Sequence, residues 1–141
     1  MTAWLKTFRL GNPQSPINAP GNGPLGEPMT FYEPLSTYSD GTPKLTKYGE
    51  PMGKPNYELG ELVATYWNGT YEIGEVFVVI GEPEQADRVG WGWQTEVKRL
   101  ARREPGVPLD AFGITPKVLG RRVRLRLDDD QEAQLKREFG V

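Results

Sequence analysis

Glycine and proline are crowded into one part of this chain: residues 11–60 hold 8 Gly and 9 Pro. Proline fixes φ and removes a backbone donor, and glycine weakens any regular element. Segments such as Asn12-Pro13, Pro20-Gly21-Asn22-Gly23-Pro24 and Asp40-Gly41-Thr42-Pro43 therefore read as turns. The stretch is expected to be neither regular helix nor sheet, and no repeat period is visible in it. It also carries Phe31, Tyr32, Tyr38, Tyr48 and Tyr57, too many rings for a solvated spacer. Residues 11–58 are therefore read as a Pro/Gly-rich excursion that wraps the rest of the domain, and as the place where a protein partner would dock.

Strand patterns flank this stretch. Ala3 to Leu10 alternates, and Glu61 to Trp67 and Glu75 to Ile80 flank Asn68-Gly69, a two-residue hairpin signal. Trp91 to Leu100 places Trp91, Trp93, Thr95 and Val97 on one side and Gln94, Glu96 and Lys98 on the other. In Arg121 to Leu127, Val123, Leu125 and Leu127 oppose Arg122, Arg124 and Arg126. Leu109 to Phe112 is expected to make a single helical turn that Gly113 stops. Asp128-Asp129-Asp130 favours a helix N-terminus, and Glu132 to Lys136 is a favourable i,i+4 pair, so a terminal helix of about ten residues should dock through Leu135 and Phe139. The fold class is mainly β with short helices (α+β): a small β-barrel with a C-terminal helix, and one domain over residues 1–141.

The chain has no cysteine and no histidine. That excludes a disulfide framework, thiolate metal sites, a Cys nucleophile and the usual general base near neutral pH. No spacing of carboxylates resembles a calcium loop, and neither a Gly-x-Gly-x-x-Gly motif nor a phosphate-loop lysine is present, so no metal and no cofactor are expected. Thr95, Glu96 and Lys98 would make a nucleophile–acid–base group only if they shared a face, and alternation separates Thr95 from the other two; no catalytic residue is assigned. The longest apolar run, Val76 to Ile80, is far short of a membrane span, and residues 1–6 lack the marks of a secretory signal. A cytoplasmic location is expected.

The net charge of −2 hides a division. Residues 27–87 sum to −8 and residues 88–126 to +7. Within the basic block, Arg88, Lys98, Arg122, Arg124 and Arg126 are candidate phosphate contacts, because guanidinium groups grip phosphate bidentately. On charge alone, a solvated sheet face balanced by the acidic block fits equally well. Tyr66, Trp67, Trp91 and Trp93 are candidates for a pocket that stacks a planar base, with Gly90 and Gly92 thinning the backbone beside them. Most of the four tryptophans are read as core, with one or two lining a cavity.

The order of these features resembles the EVE domains of the PUA-like superfamily. The resemblance rests on an early Trp in the first strand, Leu59-Gly60-Glu61-Leu62-Val63-Ala64-Thr65-Tyr66-Trp67, Gly74-Glu75-Val76-Phe77-Val78-Val79, Trp91-Gly92-Trp93-Gln94-Thr95-Glu96-Val97 and Val107-Pro108-Leu109, and covers mainly residues 59–127. It implies a small β-barrel that binds nucleic acid, single-stranded or carrying a modified base. The related YTH readers hold such a base in an aromatic pocket. Trp67, Trp91 and Trp93 are the pocket residues this resemblance implies, and Trp4 a barrel residue. The stretch from Gly11 to Lys54 departs from the EVE pattern, in which pocket residues follow the first strand. The sister ASCH group includes nucleoside-directed enzymes with a Gly-x-Lys-x-x-Glu-x-Arg pattern, absent here. The leading expectation is a nucleic-acid-binding module; the alternatives are a small nucleoside-directed hydrolase of the ASCH type and a structural or protein-interaction domain.

Overall fold

A computed structural model of the protein describes residues 2–8, 24–67, 70–119 and 124–141. Among them, seven strands form one sheet: β1 (Ala3–Phe8), β2 (Pro28–Pro34), β3 (Leu62–Trp67), β4 (Glu72–Val79), β5 (Glu84–Gln85), β6 (Trp91–Pro108) and β7 (Arg124–Leu127). Their order is β2-β6-β4-β3-β1-β7, with β5 paired to β6 off that path. β1 and β3 are parallel and the other ladders antiparallel. β1 stands four places from β2 in this order, yet the Phe8 and Phe31 rings meet edge to face at 5.6 Å. The sheet is curled into a half-barrel, with β2 and β7 as its edges among the described residues.

Both faces of the curled sheet are packed. The concave face gathers Phe8, Phe31, Tyr57, Val63, Phe77, Val79 and Val97. The convex face carries Leu5, Ala64, Tyr66, Ile73 and Val76, covered by a 3-10 turn at Leu109–Phe112 and by helix α2 (Asp129–Phe139) through Leu135. A short helix α1 (Pro116–Leu119) lies between the turn and β7. The expected terminal helix forms, with Asp128 at its N-cap, and Gln131, which the sequence expectation did not include, completes a capping box: Asp128 Oδ1 accepts from Gln131 N–H at 2.8 Å, and the Gln131 side chain accepts from Asp128 N–H at 3.0 Å. Gly113 stops the 3-10 turn at φ 70°, a conformation glycine adopts without a Cβ penalty.

Three sequence expectations need correction. The Gly/Pro-rich stretch contains a regular strand, β2, because Pro28 and Pro34 sit at its ends and Met29–Glu33 between them can pair on an edge. β6 does not end near Leu100 but runs to Pro108, its register with β4 shifting twice. And a repeat exists. Tyr38 N–H donates to Thr42 O, Gly41 N–H to Tyr38 O and Lys44 N–H to Ser36 O; eight residues on, Thr46 donates to Glu50, Gly49 to Thr46 and Met52 to Lys44. Bridges Thr37↔Pro43 and Leu45↔Pro51 repeat with the same offset. The two miniature hairpins share only Gly-x-Pro at the turn, which is why side-chain periodicity does not reveal them. The expected hairpin does join β3 to β4 as an antiparallel pair, while its Asn68-Gly69 turn lies outside the described residues, as do Arg121, Arg122 and Val123.

Candidate functional site

The concave face holds charges where a barrel interior usually holds none. Lys6 shares the inward face of β1 with Trp4 and Phe8 and is 1% exposed; Glu33, at the end of β2, is 3% exposed. Lys6 Nζ donates to Glu33 Oε1 at 2.7 Å, and lies over the Phe8 ring at 5.1 Å. Burial pushes the Lys6 ammonium below its ordinary pKa, and the Glu33 carboxylate opposes that shift. Arg124 reaches the same carboxylate from β7, its Nη1 3.1 Å from Glu33 Oε2. That approach is an ion pair without hydrogen-bond alignment, so among the described residues Oε2 is a buried acceptor with no hydrogen-bond partner. Tyr57 is buried beside this group with its hydroxyl likewise unbonded, and burial, then the Glu33 charge, raise the phenol well above its ordinary pKa.

These residues sit where the half-barrel fails to close. A cleft of ≈ 480 Å³ opens between the β2 and β7 edges, lined by Trp4, Glu33, Pro34, Leu35, Ser36, Gly53, Asn56 and Arg124. Each wall has a reason to stay in place. Trp4 Nε1–H donates to Glu61 Oε1 at 3.0 Å, and its ring meets Tyr57 edge-on at 5.6 Å. Arg124 Nη2 donates to Gly53 O at 3.4 Å, tying β7 to the end of the excursion. The cleft thus offers an indole, a carboxylate oxygen, an amide, a hydroxyl and a guanidinium, which together suit a small planar ligand with hydrogen-bonding edges.

Of the sequence-derived candidates, Arg124 lines this cleft, and the other described ones lie elsewhere. Tyr66 belongs to the convex core. Trp93 is 3% exposed, donates from Nε1 to Pro51 O at 2.9 Å and lies under Lys54 Nζ at 5.2 Å. Trp91 is 9% exposed and meets the Tyr32 ring at 5.6 Å, with Arg88 over the other ring of that pair at 5.3 Å. The backbone of Trp67 ends β3, and its side chain lies outside the described residues, as does Arg122. Of the phosphate candidates, Arg124 lines the cleft, Arg126 is exposed and donates to Thr2 Oγ1 at 3.0 Å, and Lys98 is exposed on β6. Elsewhere in the basic block, Arg99 is buried, donating from Nε to Glu75 Oε2 at 2.5 Å, and Arg103 pairs with Glu138. Glu33, Asn56, Ser36 and Lys6 were not among the candidates. The available signal was Lys6 on the same strand face as Trp4 and Phe8, a cation among rings.

Among the described residues, no three His, Cys, Asp or Glu side chains gather as metal ligands, and no helix is long and apolar enough to cross a membrane. No family model matches the chain, and no curated protein does. Among solved structures, the fold is similar to that of protein Atu2648 from Agrobacterium tumefaciens, with TM-score 0.55 and 10% identity over 100% of this chain and 94% of that one. It is also similar to Rpa0253 from Rhodopseudomonas palustris, with TM-score 0.53 and 14% identity over 99% of this chain and 94% of that one. At these identities the likeness is one of fold.

Proposed function

We propose that the protein is an EVE-type, PUA-like nucleic-acid-binding module of the cytoplasm that holds one base, a modified one in its natural ligand, out of the stack in the cleft between β2 and β7. The observation that carries this reading is Glu33 Oε2 at the cleft wall, which Arg124 approaches at 3.1 Å as an ion pair but to which no hydrogen bond is aligned among the described residues. A buried carboxylate oxygen with no hydrogen-bond partner is costly unless a ligand fills it, and an exocyclic amino group of cytosine or adenine is the donor a carboxylate reads. Trp4 supplies a stacking surface for that base, Asn56 and Ser36 supply further edge contacts, and Arg124 supplies a cation for the flanking phosphate. The test is a fluorescence titration with cytidine, adenosine, their methylated forms, uridine and thymidine. Amino-bearing bases should bind, uridine and thymidine should bind more weakly, and Asn56→Ala should weaken all. Equal binding of uridine and cytidine removes Glu33 as the reader; no binding by any base removes the cleft as the site.

One observation favours a second reading. Lys6 and Arg124, distant in sequence, meet at the Glu33 carboxylate, Lys6 buried behind the cleft wall, the same three residue types as in the ASCH pattern. A nucleoside-directed hydrolase would use Lys6 and Glu33 as proton carriers. Turnover of acylated nucleosides by the wild type and its loss in Lys6→Met would establish that reading.

A further inference from the structure

We propose that the double hairpin of residues 36–52 is a second nucleic-acid contact, in which Tyr38 and Tyr48 stack bases of the strand leaving the cleft and Lys44, Lys47 and Lys54 hold its phosphates. For its direction along the strand this rests on the cleft reading above. The two hairpins are set by their own hydrogen bonds, not by burial: each closes a turn at a positive-φ glycine, Gly41 and Gly49. The Asp40 carboxylate reinforces the first by accepting from Thr42 N–H at 2.9 Å, and Thr46 Oγ1 reinforces the second by accepting from Glu50 N–H at 3.3 Å.

What the hairpins display is exposed rings with cations beside them, the two hairpin lysines being matched in number by Asp40 and Glu50, so that stacking rather than net charge carries the contact. Tyr38 is 57% and Tyr48 77% exposed, far more than rings retained for packing. Lys44 Nζ lies 5.3 Å from the Tyr38 ring centre and Lys47 Nζ 5.1 Å from that of Tyr48. Lys54 lies over Trp93 where the excursion returns to the barrel. Rings interleaved with cations are what sequence-tolerant binding of single strands uses, since every base has a face to stack and every step a phosphate. The arm is continuous with the cleft: Leu35, Ser36 and Gly53, which flank the two hairpins, line it. A strand with one base in the cleft therefore leaves it along this arm. Leu45 and Met52, also exposed, would suit a protein partner, but they lack the paired cations.

The experiment uses the full chain with two probes, deoxycytidine monophosphate and a single strand of about eight nucleotides in DNA and RNA form with one cytosine, read by fluorescence anisotropy at several salt concentrations. The octamer should bind more tightly than the mononucleotide. A Tyr38→Ala/Tyr48→Ala double variant should weaken the octamer at least about 30-fold and leave the mononucleotide unchanged. Lys44→Gln/Lys47→Gln should flatten the salt dependence of octamer binding alone. Octamer affinity untouched by the tyrosine pair overturns the proposal, leaves the cleft reading standing and returns the arm to a protein partner. Octamer binding that needs the tyrosines while the mononucleotide fails to bind supports the arm and overturns the cleft. Failure of both probes overturns both.

Discussion

Lys6 Nζ and Glu33 Oε1 are 2.7 Å apart although, among the described residues, the curled sheet brings β1 and β2 together without a ladder between them. The pair closes the half-barrel by side chains where backbone pairing stops. Arg124 extends it to β7, so three strands that meet at the open side are tied through one carboxylate. A buried ion pair adds little net stability, because desolvation offsets attraction. Breaking it is another matter.

Glu33→Gln leaves the Lys6 ammonium buried without its counter-charge and should cost about 3–5 kcal/mol. Lys6→Met in that background should recover most of the loss, since no buried charge is then left over. Urea unfolding of the two single variants and the double variant gives the coupling; strict additivity would show that the contact is not energetically real.

Trp93→Ala removes a buried indole and the hydrogen bond that fixes Pro51, and should cost about 3–5 kcal/mol. Trp93→Phe keeps the ring but loses the N–H donor, at about 1 kcal/mol. In both, residues 36–52 should become a faster site of proteolytic cleavage, because Trp93 anchors their return to β6. Intact stability with lost nucleotide affinity in Trp93→Ala would assign the ring to a pocket instead.

Arg126→Ala should leave the melting temperature unchanged, since an exposed cation contributes little to folding. It should flatten the slope of log affinity against log salt for a single strand by roughly 0.7. Arg124→Ala should lower both affinity and stability, because it also removes a partner of Glu33. Identical behaviour of the two variants would contradict their different placement.

Tyr57→Phe removes a buried hydroxyl that has no partner among the described residues, so at neutral pH it should be neutral or stabilising by up to about 1 kcal/mol. Tyr57 has a raised pKa in the folded state, so its contribution is complete below the unfolded phenol value near pH 10 and is lost as pH rises through the folded value. Wild-type stability should therefore fall relative to Tyr57→Phe above about pH 10, by at most about 1.4 kcal/mol per pH unit. Lys6, with a lowered folded pKa, acts oppositely: stability is gained as pH climbs through its folded value towards its unfolded one. Because Lys6 is present in both proteins, the difference between them reads Tyr57 alone. Parallel curves above pH 10 would mean the hydroxyl is hydrated.

Sequence alone determined the elements whose information is local. Alternation located β1, β3, β4, β7 and the first half of β6, and Asp128 with Gln131 and Gly140 bounded α2 through hydrogen bonds spanning only a few residues. Alternation also paired Lys6 with Trp4 and Phe8, and Arg99 with Val97 and Thr95, on common faces. What it does not encode is whether a face looks onto solvent or into a curled sheet, so the burial of these two cations is not legible in it. Their fate was decided by partners far along the chain: Glu33, 27 residues from Lys6, and Glu75, 24 residues from Arg99. The same holds for Trp93, an exposed-pocket candidate until the excursion laid Pro51 and Lys54 over it. Among the described residues, the cleft lies where β2 and β7 are brought near one another without pairing, a consequence of how far the whole sheet curls and of no single segment.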